Sequence, residues 1–126
     1  MAHTTTYNSE AQVIETKAQG NLTLDEAREI ISDIVQAARQ SGCLLCLSDY
    51  REAEISFSTV EIYDVPKILA DIVASQGFQA SDFKRAIIVK KDLKNFQFFE
   101  TVTLNRMQNV KLFQDIDEAR GWLFKT

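Results

Sequence analysis

Histidine, proline and tryptophan each occur once in this 126-residue chain, cysteine twice and glycine four times. Each scarcity removes a class of chemistry. With His3 alone, and read as lying in a flexible tail of residues 1–3, neither a zinc site nor histidine-based catalysis has a basis. Gly20, Gly42, Gly77 and Gly121 are scattered, so no glycine-rich phosphate loop forms, and no G-x-S-x-G elbow is present. The shortage of proline and glycine argues against a loop-rich or disordered chain. No run of about 20 apolar residues exists, which excludes an integral membrane helix. Cys43 and Cys46 share the C-x-x-C spacing, but they lie in a strand-like run where positions i and i+3 point to opposite faces. They read as structural thiols, and free thiols without a signal peptide suggest a cytoplasmic protein.

Charge excludes a further class. Eighteen acidic against fourteen basic side chains give a net charge of −4, so no general attraction to nucleic acid is expected, although Lys84, Arg85, Lys90, Lys91 and Lys94 cluster locally. The length suits one domain, with 1–126 read as a single unit burying roughly two thirds of its unfolded surface.

What is present is an alternation of strand and helix signals. From about Thr4 to Ala18, alternating residues around an Asn8–Ser9 turn signal read as a hairpin of two short strands, which Gly20-Asn21-Leu22 ends. Thr23-x-x-Glu26 is a capping box, and Leu24, Ala27, Ile30, Ile31, Ile34 and Ala38 form one apolar helical stripe closed by Gly42. Cys43 to Ser48 reads as a strand covered on both faces. Ser58-x-x-Glu61 opens a second helix, with Ile62, Val65, Leu69, Ile72 and Val73 as its apolar stripe and Pro66 expected to break or kink it. Arg85 to Lys90 is a strand; a third helix starts at Asp92 or Asn95. Its Phe96, Phe98 and Phe99 exceed what one buried stripe needs, so part of that face suits a partner or a pocket. Val110 to Phe113 is a last strand, and Asp115-x-x-Glu118 caps a last helix buried through Ile116, Ala119, Trp122 and Leu123. The order ββαβαβαβα implies an α/β fold, an antiparallel N-terminal hairpin on a mostly parallel core sheet.

Several residues stand where chemistry is plausible on position alone. Asp49, Tyr50 and Arg51 sit where a parallel strand is expected to end, the side of open α/β sheets that tends to bind ligands. Asp49 and Arg51 there suit a polar ligand or simply close a turn. Ser58 and Thr59 open a helix, where a phosphate would be favoured or where they only cap. Glu100, Asn105 and Arg106 share one face of the third helix, as contact residues or as plain surface.

The motifs Asp49-Tyr50-Arg51, Ser58-Thr59-Val60-Glu61-Ile62-Tyr63-Asp64-Val65-Pro66, Arg85-Ala86-Ile87-Ile88-Val89, Phe98 to Arg106, Asn109 to Phe113 and Ala119-Arg120-Gly121-Trp122-Leu123 come in an order that resembles uncharacterised bacterial SpoIIAA-like proteins. The resemblance runs from about residue 11 to 124. It implies a fold related to the STAS domain of anti-sigma-factor antagonists, with Sec14-type lipid-binding proteins a more distant comparison. In the antagonists, a phosphorylatable serine at the start of the second helix follows an Asp and precedes a Gly. Ser58 or Thr59 is the nearest match, and this chain departs from the pattern, with Phe57 before Ser58 and Val60 after Thr59. The resemblance and the missing catalytic constellations together lead to a non-enzymatic regulatory domain with a protein partner, a homodimer included, and no cofactor. The surplus aromatics favour, as the other reading, a binder of a small apolar or lipid-like molecule.

Overall fold

The computed structural model describes residues 2–55, 57–90 and 109–125. Two antiparallel strands, β1 (Ala2–Asn8) and β2 (Val13–Leu22), lead into helix α1 (Leu24–Ser41). Strand β3 (Leu45–Ile55), helix α2 (Thr59–Ser75), a short 3-10 turn at Ala80–Asp82, strand β4 (Lys84–Ile88), strand β5 (Asn109–Phe113) and helix α3 (Ile116–Leu123) follow. The sheet runs β1-β2-β3-β4-β5, antiparallel between β1 and β2 and parallel thereafter. This is the mixed α/β sheet expected from the sequence. The expected third helix, with Glu100, Asn105, Arg106 and the Phe96, Phe98 and Phe99 aromatics, lies outside the described residues.

Each sheet face has its own core. On one, Ile30, Ile31, Ile34, Val35 and Ala38 of α1 and Val73 of α2 cover Ile14, Ala18, Cys46, Tyr50, Ile87 and Leu112. On the other, Ala119 and Leu123 of α3 cover Val13, Leu47, Ala86, Ile88 and Phe113, with Trp122 half-buried alongside. The first half of β3 and most of β4 are therefore covered on both sides, which is why Cys43 to Leu47 and Ala86 to Val89 read as continuous apolar runs.

Four local expectations are corrected. The hairpin turn lies where Asn8 signals it, its Oδ1 accepting from the backbone of Glu10 and Ala11 at 3.1 Å each. But Gly20 bends β2 rather than ending it: its φ of 83° needs no Cβ, and pairing continues through Leu22 opposite Ile55. Thr23 accepts from the Glu26 backbone at 3.3 Å, as expected of a cap, whereas the Glu26 carboxylate is drawn to His3 of β1. His3 itself belongs to β1, opposite Ala18, rather than to a flexible tail. Of the break or kink expected at Pro66, the break does not occur: α2 is one helix from Thr59 to Ser75, and Pro66 is fully buried. Its ring gives up one backbone hydrogen bond, and burial of a mostly apolar helix face offsets that loss.

Candidate functional site

The Asp49-Tyr50-Arg51 run is not the end of a strand. β3 continues to Ile55, and the register against β2 slips there: Lys17 faces Asp49 but Gln19 faces Glu52, so one residue of β2 stands against two of β3. The slip explains the burial pattern, since Cys46, Ser48 and Tyr50 point into the α1–α2 core at period two and the next buried residue is Ala53. The Asp49 carboxylate closes the irregularity. It accepts from the Arg51 backbone at 3.1 Å and from the Arg51 guanidinium at 2.9 and 2.7 Å, a bidentate pair. Those guanidinium hydrogen bonds hold the Asp49 carboxyl below its usual range, with Lys17 adding to the effect. The turn-like look of this sequence is thus a kink inside a strand. Its charged groups satisfy each other, which leaves little for a polar ligand.

The start of α2 is different in kind. Ser58 Oγ accepts from the Glu61 backbone at 3.1 Å, and the Ser58 N–H donates to Glu61 Oε1 at 2.9 Å, completing the capping box expected there. Thr59 opens the helix behind it. Ser58 is exposed, and so are two large side chains of the first turns, Val60 at 70% and Tyr63 at 54%. Val60, Tyr63 and Lys67 line the outer face, while Val65 and Val73 are buried, as the helical repeat requires. A phosphate on Ser58 would gain from the helix dipole but would meet the Glu61 carboxylate.

The site the sequence reading missed is Arg85. Only 8% exposed, its Nη2 donates to the Tyr50 hydroxyl at 2.7 Å and its Nε lies 3.4 Å from Ser48 Oγ. It edges a cavity of about 20 Å³ whose other walls include Ile34, Val35, Leu69, Val73 and Phe83, enough for about one water. The signal was present: Arg85 alternates with Ile87 and Val89 on one strand face, so period two places it among apolar neighbours. Of the expected basic cluster, Lys91 and Lys94 lie outside the described residues, and Lys84, Arg85 and Lys90 each have their own contacts. Lys84 lies 4.7 Å from the centre of the Trp122 ring and donates to the Trp122 carbonyl at 2.7 Å, and Lys90 pairs with Glu54. Cys46, also facing this core, has its thiol pushed up to about 12 by burial, and both cysteines are free.

The sequence-predicted residues thus fall at separate places. The Asp49–Arg51 pair and the Ser58 cap share no hydrogen bond or ion pair among the described residues. Glu100, Asn105 and Arg106 lie outside them.

Comparison with known proteins gives a consistent likeness. A family model described as SpoIIAA-like matches residues 13–124. A crystal structure of an uncharacterised protein of the DUF3478 family with a SpoIIAA-like fold, from Shewanella loihica PV-4, is 24% identical. It aligns with a TM-score of 0.54 over 97% of this chain and 92% of that one. An anti-sigma factor antagonist from Mycobacterium paratuberculosis aligns with a TM-score of 0.57 at 14% identity, over 98% of this chain and 96% of its own. At these identities the two structures show the fold. No curated protein matches the chain.

Proposed function

The chain belongs to the SpoIIAA-like family, and we propose that it is a cytoplasmic regulatory domain working by protein contact rather than by catalysis. The observation that carries this reading is the outer face of α2, where Val60 and Tyr63 are exposed beside a serine cap. Large exposed apolar side chains next to each other mark contact surfaces more often than isolated ones do. The structural likeness to an anti-sigma factor antagonist supports a partner of the same general kind, a regulatory protein or a second copy of the chain. Against nucleic acid stand the net charge of −4 and, among the described residues, the engagement of Lys84 with Trp122, of Lys90 with Glu54 and the burial of Arg85. No helix among the described residues is long and apolar enough to cross a membrane.

Val60→Asp puts a charge in the middle of this face and, being on the surface, should shift stability by no more than about 0.5 kcal/mol. The test is a native co-purification of wild type and variant with stoichiometry measured, alongside light scattering for self-association. Loss of a stoichiometric partner, or of the dimer, in Val60→Asp supports the reading. A monomer with no stoichiometric partner, or a partner indifferent to the substitution, refutes it. Phosphate on Ser58 or Thr59 is the finer version, tested by intact-mass and phosphopeptide analysis of protein from native cells under varied growth conditions. Absence of the modification throughout removes that version alone.

A small apolar or lipid-like ligand is the second reading, and its candidate place is the apolar cavity between α1, α2 and the sheet with Arg85 at its edge. At about 20 Å³ it admits no such molecule until α2 shifts outward. Native mass spectrometry after incubation with fatty acids checks it, and a protein that never retains an acyl chain argues against it.

A further inference from the structure

His3, dismissed on sequence as a tail residue, is held at the meeting of β1 and α1. Its strand pairs His3 with Ala18, which is fully buried on the face that α1 covers. The imidazole therefore turns towards the helix, and its side chain is only 14% exposed. Three carboxylates of α1, Glu26, Glu29 and Asp33, lie at i, i+3 and i+7, which is one helix face. They meet the two ring nitrogens differently. Nδ1 lies 3.0 Å from Glu26 Oε2, and a ligand atom each of His3, Glu26 and Glu29 lies within 4.8 Å of the others. Nε2, on the opposite side of the ring, lies 2.9 Å from Asp33 Oδ2.

We infer that His3, Glu26 and Glu29 form a binding site for a divalent transition-metal ion of the zinc or cobalt type, with Asp33 fixing the imidazole. Neighbouring ligand atoms in a tetrahedral shell with bonds near 2.0–2.1 Å stand about 3.4 Å apart. The cluster therefore closes onto an ion by movements of at most about 1.4 Å from its 4.8 Å limit, within reach of glutamate rotamers. The other side of the imidazole points the same way. Histidines that ligate metal almost always donate their other ring N–H to a carboxylate, a backbone carbonyl or water, which fixes the tautomer and aims the free nitrogen. Asp33 stands at that position, leaving Nδ1 directed at Glu26, with Glu29 in the same cluster. On binding, a proton carried by Nδ1 leaves to solvent and the Nδ1 lone pair goes to the metal. Imidazole with carboxylates suits zinc, cobalt or iron, whereas calcium and magnesium prefer all-oxygen shells. Three protein ligands leave a fourth position open to water.

The site links the edge strand to the first helix, so the readout need not involve any partner. Tag-free protein carrying Cys43→Ser, which removes the accessible thiol, is titrated with Zn²⁺ by calorimetry and with Co²⁺ by visible absorption. The expected result is one equivalent bound, a rise in melting temperature, and cobalt bands of nitrogen–oxygen ligation. Glu29→Gln, an exposed position that leaves the fold intact, weakens binding about 100-fold or more. His3→Ala abolishes it, and Asp33→Asn weakens it about 10- to 100-fold without changing stoichiometry. Calcium at equal concentration gives no shift. No binding by the parent protein, or binding that Glu29→Gln and His3→Ala both leave unchanged, overturns the assignment.

Discussion

Replacing Ser58 with alanine removes the Oγ acceptor and leaves the Glu61 N–H, 3.1 Å away, to water. Because the cap is exposed, the cost is that of a lost N-cap rather than of a buried orphan donor, about 1 kcal/mol. Unfolding entropy near 2.1 cal/mol/K per residue over 126 residues converts that to a fall of about 4 °C in melting temperature. Ser58→Asp is the sharper perturbation. Its carboxylate replaces the hydroxyl as acceptor and gains about 0.3–1 kcal/mol from the helix dipole, but it faces the Glu61 carboxylate, which already holds the Ser58 N–H at 2.9 Å. The two effects oppose, so Ser58→Asp alone should lie near wild type, and Ser58→Asp with Glu61→Gln should be more stable than the sum of the single changes predicts. A double-mutant cycle read by chemical denaturation measures that coupling. Additive single changes, or Ser58→Ala within about 0.3 kcal/mol of wild type, would refute the reciprocal cap as the element that holds the start of α2.

The thiols should separate cleanly: half-buried Cys43 reacts with Ellman's reagent in native protein at pH 8, while Cys46 reacts only on unfolding, and two fast thiols would contradict the burial. With its folded pKa raised from 9.0 to about 12, the Cys46 contribution is intact below pH 9 and falls as pH rises towards 12, by at most about 4 kcal/mol; Cys46→Val should show a smaller alkaline loss. Arg85→Ala should cost about 2–3 kcal/mol by leaving the buried Tyr50 and Ser48 hydroxyls without their donor, and Arg85→Met should cost less because it refills the volume; equal losses in urea denaturation would contradict this. Asp49, whose folded pKa is lowered, contributes stability that is present above its unfolded value and lost as pH falls through the folded one. Asp49→Asn should therefore flatten the acid side of the stability profile, and an unchanged profile would count against the Arg51 pairing.

The elements were legible where one periodicity and one cap agreed. Thr23, the Ile30–Ile31–Ile34 stripe and Gly42 at φ 74° all describe the same helix, and α1 runs from Leu24 to Ser41 between them. The hairpin, the capping boxes of α2 and the Asp115 cap were legible for the same reason. Failure came where a local signal met a long-range partner. Asp49-Tyr50-Arg51 has the composition of a turn, yet β2 supplies hydrogen bonds on its far side, and the polar run becomes an irregular strand. Glu26 has the spacing of a capping partner, but His3, 23 residues earlier, claims its carboxylate. Pro66 carries a helix-breaking preference that burial overrides. Of the candidate site, the Ser58 cap was legible and its exposed neighbours followed from the repeat, whereas the Arg85–Tyr50 bond joins residues 35 apart and no spacing announces it.

The cap and the exposed face are one mechanical unit, and this bears on how a regulatory contact at α2 could be controlled. Val60 is the second residue of the helix and Tyr63 the fifth, so both belong to the turns that the Ser58–Glu61 box secures. Val65 is buried whereas Val60 and Tyr63 are exposed, so the presentation of those two side chains depends in part on the Ser58–Glu61 box. Helix ends are where fraying concentrates, and a change of about 1 kcal/mol at Ser58 alters the frayed population about fivefold. The Asp49–Arg51 pair offers no comparable lever, because a partner would first have to separate a bidentate ion pair. Among the described residues, a contact surface at Val60 and Tyr63 is therefore the one whose presentation a small chemical change at Ser58 can set.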